Sequence, residues 1–199
     1  MNNSTPTPYV AKAFLSCSLR PEDKQFVDYI ERILRAYKIE PVGTVGRYSV
    51  SPENPAELMK KEIPNADFAV IVATPRYLQQ DLRTGQISYG LSEMIHIETG
   101  IAYAFEKPVV VFVQEGTNVG NFIPNITQYI ILNDTRSDFE QKRPEIHSLL
   151  NSTYQIVKKI KSNKTAKAIG KVAVLGLAAY GAYKLLPKLL NAIFGAENT

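Results

Sequence analysis

In the run SEMIHIETGIAYAFEKPVVVF, residues 92–112, one carboxylate is conspicuous for where it falls. A helix there turns about 100° per residue, and on that wheel Met94, Ile95, Ile101, Ala102 and Phe105 lie within about 60° of Glu98. Glu93, His96, Thr99 and Tyr103 face the other way. The phase therefore predicts an inward Glu98. A carboxylate taken out of water must be hydrogen-bonded, hold a raised pKa or face a pocket. Such a group can handle protons or steady positive charge in a reaction. A glutamate satisfied internally by a backbone amide or an arginine is the alternative.

The other reactive side chains form no rival constellation. Cys17 has no His or Asn partner in its local sequence, so thiol nucleophilic catalysis is not expected. A single cysteine also excludes an internal disulfide framework and a multi-cysteine zinc site. A reducing compartment follows, and no metal is indicated. His96 falls on the polar side of the helix, and His147 reads as a surface or helix-packing residue.

The elements that must position Glu98 can be read from pattern. Residues 9–16, YVAKAFLS, suit a strand, and PEDKQFVDYIERILRAY (21–37) opens with Pro and two acids, as a helix start does. Phe26, Ile30, Ile33, Leu34 and Tyr37 then repeat at helical spacing. A short strand over 39–42 leads into GTVGRYSVSPENP, a loop by composition, and AELMKKEI is a short helix. FAVIVA (68–73), KPVVVFV (107–113) and QYIIL (128–132) are continuous apolar runs, the mark of strands covered on both faces of a parallel sheet. Residues 138–160 form a last helical stretch, interrupted near Pro144. The class is α/β, with about five parallel strands flanked by helices. Ligands of such sheets gather at the carboxyl ends of the strands, here the tips 16–20, 43–54, 74–92 and 114–122.

Charge divides the chain. The formal net charge is +4, yet eight of the 23 basic residues are lysines between 158 and 188, so the rest of the chain holds 15 basic against 19 acidic residues. Residues 172–183, VAVLGLAAYGAY, carry no charge, and the apolar stretch continues to Phe194 past Lys184, Pro187 and Lys188. We expect a flexible lead over 1–8, a domain over 9–160, and a basic, hydrophobic helical tail over 161–199. The segment 172–194 suits a membrane span or a helix lying on anionic lipid, or packing into an oligomer through Gly176, Ala179 and Gly181. The lead carries no secretory signal pattern, so a cytoplasmic location, at the inner face of the membrane if the tail binds it, is the expectation.

Four ordered segments resemble TIR domains. FLSCSLRPEDKQFVDYIERIL is similar to their opening strand, loop and first helix, and IPNADFAVIVATPRYLQQD to their apolar strand ending in a Ser/Thr-Pro-x-Tyr turn. SEMIHIE matches the S-x-W-C-x-x-E pattern, with Ser92 and Glu98 in place and Met94 and Ile95 standing for Trp and Cys. The step from Glu98 to Lys107 before PVVVFV completes the likeness over roughly residues 9–135. DLRTGQISYGL makes the loop before the helix longer than is typical. ETGIAYAFEKP also resembles nucleoside deoxyribosyltransferases, in which the glutamate is a nucleophile on a nucleoside sugar.

The resemblance implies a flavodoxin-like TIR fold and an NAD+ glycohydrolase or cyclase, with Glu98 catalytic and NAD+ as substrate rather than cofactor. It implies that Ser16, Cys17, Ser18, Arg47, Tyr48, Tyr77, Ser92 and Met94 bind the substrate, with Arg47 and Tyr48 in a loop used for gating the site and for self-association into an oligomer or filament. An antiviral role in a prokaryote is implied with it, and a nucleic-acid partner is not expected. A deoxyribosyltransferase-like enzyme and a non-catalytic scaffold are the competing readings.

Overall fold

A computed structural model describes residues 9–43, 47–48 and 54–162. The expected lead and the apolar run 172–194 lie outside the described residues. Among the described residues no helix is long and apolar enough to cross a membrane.

The chain builds a five-stranded parallel sheet with helices on both faces. Strands β1 (Ala11–Ser16), β2 (Ile39–Val42), β3 (Phe68–Ala73), β6 (Val109–Gln114) and β8 (Tyr129–Leu132) lie in the order β2-β1-β3-β6-β8. All five pair in parallel, with Ser16 opposite Ile71 and Ala73 opposite Val113. Every residue of β3 is buried, because a central parallel strand is covered on both sides.

Alternation along the strands sorts the core into two layers. Leu15, Val70, Val72, Val110 and Phe112 meet α1 (Lys24–Ala36), α5 (Arg136–Gln141) and α6 (Arg143–Ser162). Phe14, Ile71, Ala73, Val111 and Val113 meet α2 (Pro55–Asn65), α3 (Glu93–Ala104) and α4 (Phe122–Ile126). The helix expected over 21–37 begins as a 3-10 turn at Pro21–Asp23 before α1. The last helical stretch breaks at Lys142, and Pro144 then sits in the first turn of α6, where its missing N–H costs nothing.

The segment 74–92 is more than a loop. It forms an antiparallel hairpin of β4 (Tyr77–Gln80) and β5 (Ile87–Gly90), with β7 (Thr117–Asn118) beside β5. Asp81 Oδ1 accepts the N–H groups of Arg83 and Thr84, 2.8 Å each, and Gly85 supplies the positive φ that closes the turn.

The strand order fixes where a ligand would sit. From β1 the chain turns to β2 on one side, then crosses back to β3 and continues outward to β6 and β8. The direction reverses between β1 and β3, and sheets of this order form their ligand crevice at the carboxyl ends of two such strands.

Candidate active site

Ser16 ends β1 at the lip of this crevice and is 1% exposed. It lies on the same side of the sheet as Phe14, the side that α3 covers. Its hydroxyl donates to Glu98 Oε2, so the crevice is crossed by a hydroxyl–carboxylate pair.

Local chemistry sets α3 in place. Ser92 caps it, its side chain accepting the Ile95 N–H at 3.4 Å. Ile95 and Ala102 are buried against the sheet, as their periodicity predicts, and Thr99 joins them at 0% exposure. That corrects the wheel: Thr99 spends its hydroxyl on the Ile95 carbonyl, 2.6 Å away, and can therefore be buried. Met94 and Phe105, expected inward, are 43% and 50% exposed. The buried stripe runs through 95, 99 and 102, and Glu98 sits about 60° from its centre, on the flank that meets Ser16.

Glu98 is thus a partly buried carboxylate at the edge of a helix–sheet contact. Burial pushes its pKa up to about 7, against the opposing pull of the Ser16 hydrogen bond. A group that titrates near neutrality can hold or release a proton at working pH.

Neither a protein-family model nor a curated protein matches the sequence. Solved structures similar to the chain include the following three. The Clostridium botulinum CMP N-glycosidase BcmB is 21% identical with a TM-score of 0.44, covering 67% of this chain and 98% of that one. BlsM is 19% identical with a TM-score of 0.46, covering 81% and 99%. The TIR domains of the activated Roq1 resistosome, which directly recognizes the pathogen effector XopQ, are 15% identical with a TM-score of 0.38, covering 92% and 99%.

The remaining sequence candidates fall into four groups. Ser18 lies in the lip after β1, where its hydroxyl accepts the Arg20 N–H at 3.2 Å, and Cys17 packs against the opposite core layer with α1. Ser92 is occupied as the α3 cap, and Met94, one turn before Glu98, stands at the rim. Tyr77 is 43% exposed at the start of β4, with the Arg76 guanidinium 5.7 Å above its ring.

Arg47 and Tyr48 are fastened to the outer face of α1. Arg47 bridges Asp28 and Glu31, 2.5 Å to each, and stands 5.8 Å over the Tyr48 ring. Against the effect of burial, hydrogen bonds from Tyr48, Arg47 and Arg35 hold Glu31 below the usual carboxylate range. Burial, with the Glu31 hydrogen bond, raises the Tyr48 phenol. This cluster anchors the chain after β2 and shares no hydrogen bond with Glu98 among the described residues.

Sequence reasoning missed Arg20. Its Nε donates to Asp23 Oδ2 at 2.8 Å, and its Nη2 reaches the carbonyl of Pro75 beyond β3. The local signal was the Arg20–Asp23 spacing at a helix start; the contact with Pro75 is long-range and has none. Among the described residues no three His, Cys, Asp or Glu side chains gather to hold a metal ion.

Proposed function

We propose that the chain cleaves the N-glycosidic bond between nicotinamide and ribose in NAD+, with Glu98 as the reacting carboxylate. The observation that carries this reading is Glu98 itself, held by Ser16 at the β1/β3 crevice with a pKa of about 7. The four segments that resemble TIR domains supply the substrate.

Bond breaking builds positive charge on the ribose, and an ionised carboxylate in a poorly hydrated crevice stabilises it more than water would. The electron pair of the C–N bond goes to the nicotinamide nitrogen. Because that ring is cationic in NAD+, it leaves neutral and needs no general acid, so one carboxylate suffices. Water then adds at the anomeric carbon and gives its proton to Glu98 or to solvent. If a nucleophile of the product itself adds instead, a cyclic product results. Ser16 holds Oε2, which leaves Oε1 to meet the ribose.

A second reading has its own support. With a pKa of about 7, Glu98 is partly protonated at neutral pH and could supply the proton that a neutral leaving base requires. The ETGIAYAFEKP phrase, which resembles deoxyribosyltransferases, where the glutamate attacks a nucleoside sugar, supports a nucleoside as the substrate in this reading. Self-association and an antiviral role rest on the resemblance of the segments alone.

A substrate panel separates the readings. The protein is incubated with NAD+, with CMP, and with a deoxynucleoside plus a second free base, and products are followed by mass spectrometry. Nicotinamide release is the expected result. Base exchange or cytosine release without nicotinamide selects the second reading, and no turnover of any member leaves the scaffold reading.

A further inference from the structure

We propose that Arg20 is a positioning residue that holds Ser16 and Glu98 together across the crevice; this rests on the reading of Glu98 as the reacting carboxylate. Ser16 leads through Cys17, Ser18 and Leu19 to Arg20, whose Nη2 donates to the Pro75 carbonyl on the neighbouring lip. The next residue, Arg76, donates its N–H to the Gly90 carbonyl at 2.8 Å. Gly90 ends β5, and Ser92, the cap of α3, follows directly after Leu91. Links through backbone and hydrogen bonds therefore run from Ser16 through Arg20 to the helix that carries Glu98. The Ser16–Glu98 hydrogen bond closes this circuit.

Arg20 is itself held in place. Asp23, 3% exposed, accepts from its Nε at 2.8 Å and pairs with its Nη2 at 2.8 Å, and Glu22 lies 3.3 Å from Nη1. A planar guanidinium can serve Asp23 and the Pro75 carbonyl at once from one orientation. A lysine carries a single ammonium on a flexible stem and cannot hold both in that geometry. Widening the gap between the lips would lengthen the Ser16–Glu98 contact and admit water, and misplacement on this scale is costly to a reaction that depends on alignment.

The test uses the full chain with Arg20→Lys and Arg20→Ala, each checked for folding by circular dichroism. Two quantities are read: the titration of Glu98 by carbon-13 NMR, assigned against Glu98→Gln, and kcat and KM for NAD+. In Arg20→Lys, kcat should fall about tenfold or more with KM little changed, and the Glu98 midpoint should move from about 7 toward the ordinary glutamate range. Arg20→Ala should go further in both. Folded variants with wild-type titration and wild-type kcat overturn the proposal. If Arg20→Ala does not fold because Asp23 loses its partner, Arg20→Lys decides. If the wild type leaves NAD+ intact while the titration still shifts, the positioning role stands and the NAD+ reading falls.

Discussion

Ser16 and Glu98, 82 positions apart in the chain, meet side chain to side chain where β1 ends and α3 begins its second turn. The pairing removes a carboxylate from water with a hydroxyl as partner, which is too little to keep its acidity ordinary.

That arrangement has a stability signature. The folded protein keeps the Glu98 proton up to about pH 7, while the unfolded chain releases it near 4.5. Between those values the unfolded state binds fewer protons, so stability falls as pH rises, and above 7 the penalty is complete. Glu98→Gln should therefore become more stable relative to wild type from pH 5 to pH 8.5, by about 2–3 kcal/mol. Denaturant unfolding at the two pH values measures the difference, and a constant difference would show that Glu98 titrates normally.

The same pKa sets the direction of the rate profile. NAD+ cleavage that needs ionised Glu98 should rise in kcat/KM about tenfold per pH unit below 7 and level off above it. A profile for NAD+ that falls through 7 would contradict a reaction that needs ionised Glu98, whereas a fall through 7 with a nucleoside that has a neutral leaving base would assign Glu98 the role of an acid.

Gly43 directly follows β2 with φ +96°, and a Cβ there would lie 2.2 Å from Cδ2 of the buried Phe14. Gly43→Ala should cost about 3 kcal/mol or more, by adding backbone strain to a core clash. A shift in urea midpoint smaller than that of an exposed-site control would contradict the packing described for Phe14.

Much of the sheet could be read from the chain, and the reasons are physical. FAVIVA and VVVFV announce themselves because strands buried on both faces can carry nothing polar. The hairpin over 77–90 escaped notice because Gln79, Gln80, Arg83 and Thr84 interrupt any apolar pattern, leaving its turn signal, Asp81 to Gly85, as the clue. Glu98 was found, but the wheel set it at the centre of the buried stripe. Apolar residues are a poor guide to the inward face when Met94, Ile97 and Phe105 can sit exposed and Thr99 can satisfy itself. Ser16 as the partner of Glu98, and Arg20 as the tie to Pro75, are long-range contacts that no local spacing encodes.

Lys107 shows how a motif position can serve the fold. Its ammonium donates to the carbonyls of Pro64 and Ala66, 2.6 Å each, closing the carboxyl end of α2 at the amino-terminal end of β3 and β6, away from the crevice. Lys107→Met should lower stability by about 1.5–3 kcal/mol and leave kcat for NAD+ unchanged. Loss of kcat at unchanged stability would place Lys107 in the reaction instead.

The most direct measurement is nicotinamide release from NAD+ at pH 8 by wild type and by Glu98→Gln, with both proteins shown to be folded by circular dichroism. A fall of about a thousandfold in the variant is predicted, since the amide keeps the shape of the side chain and loses its charge. Equal rates in the two proteins would contradict a catalytic Glu98.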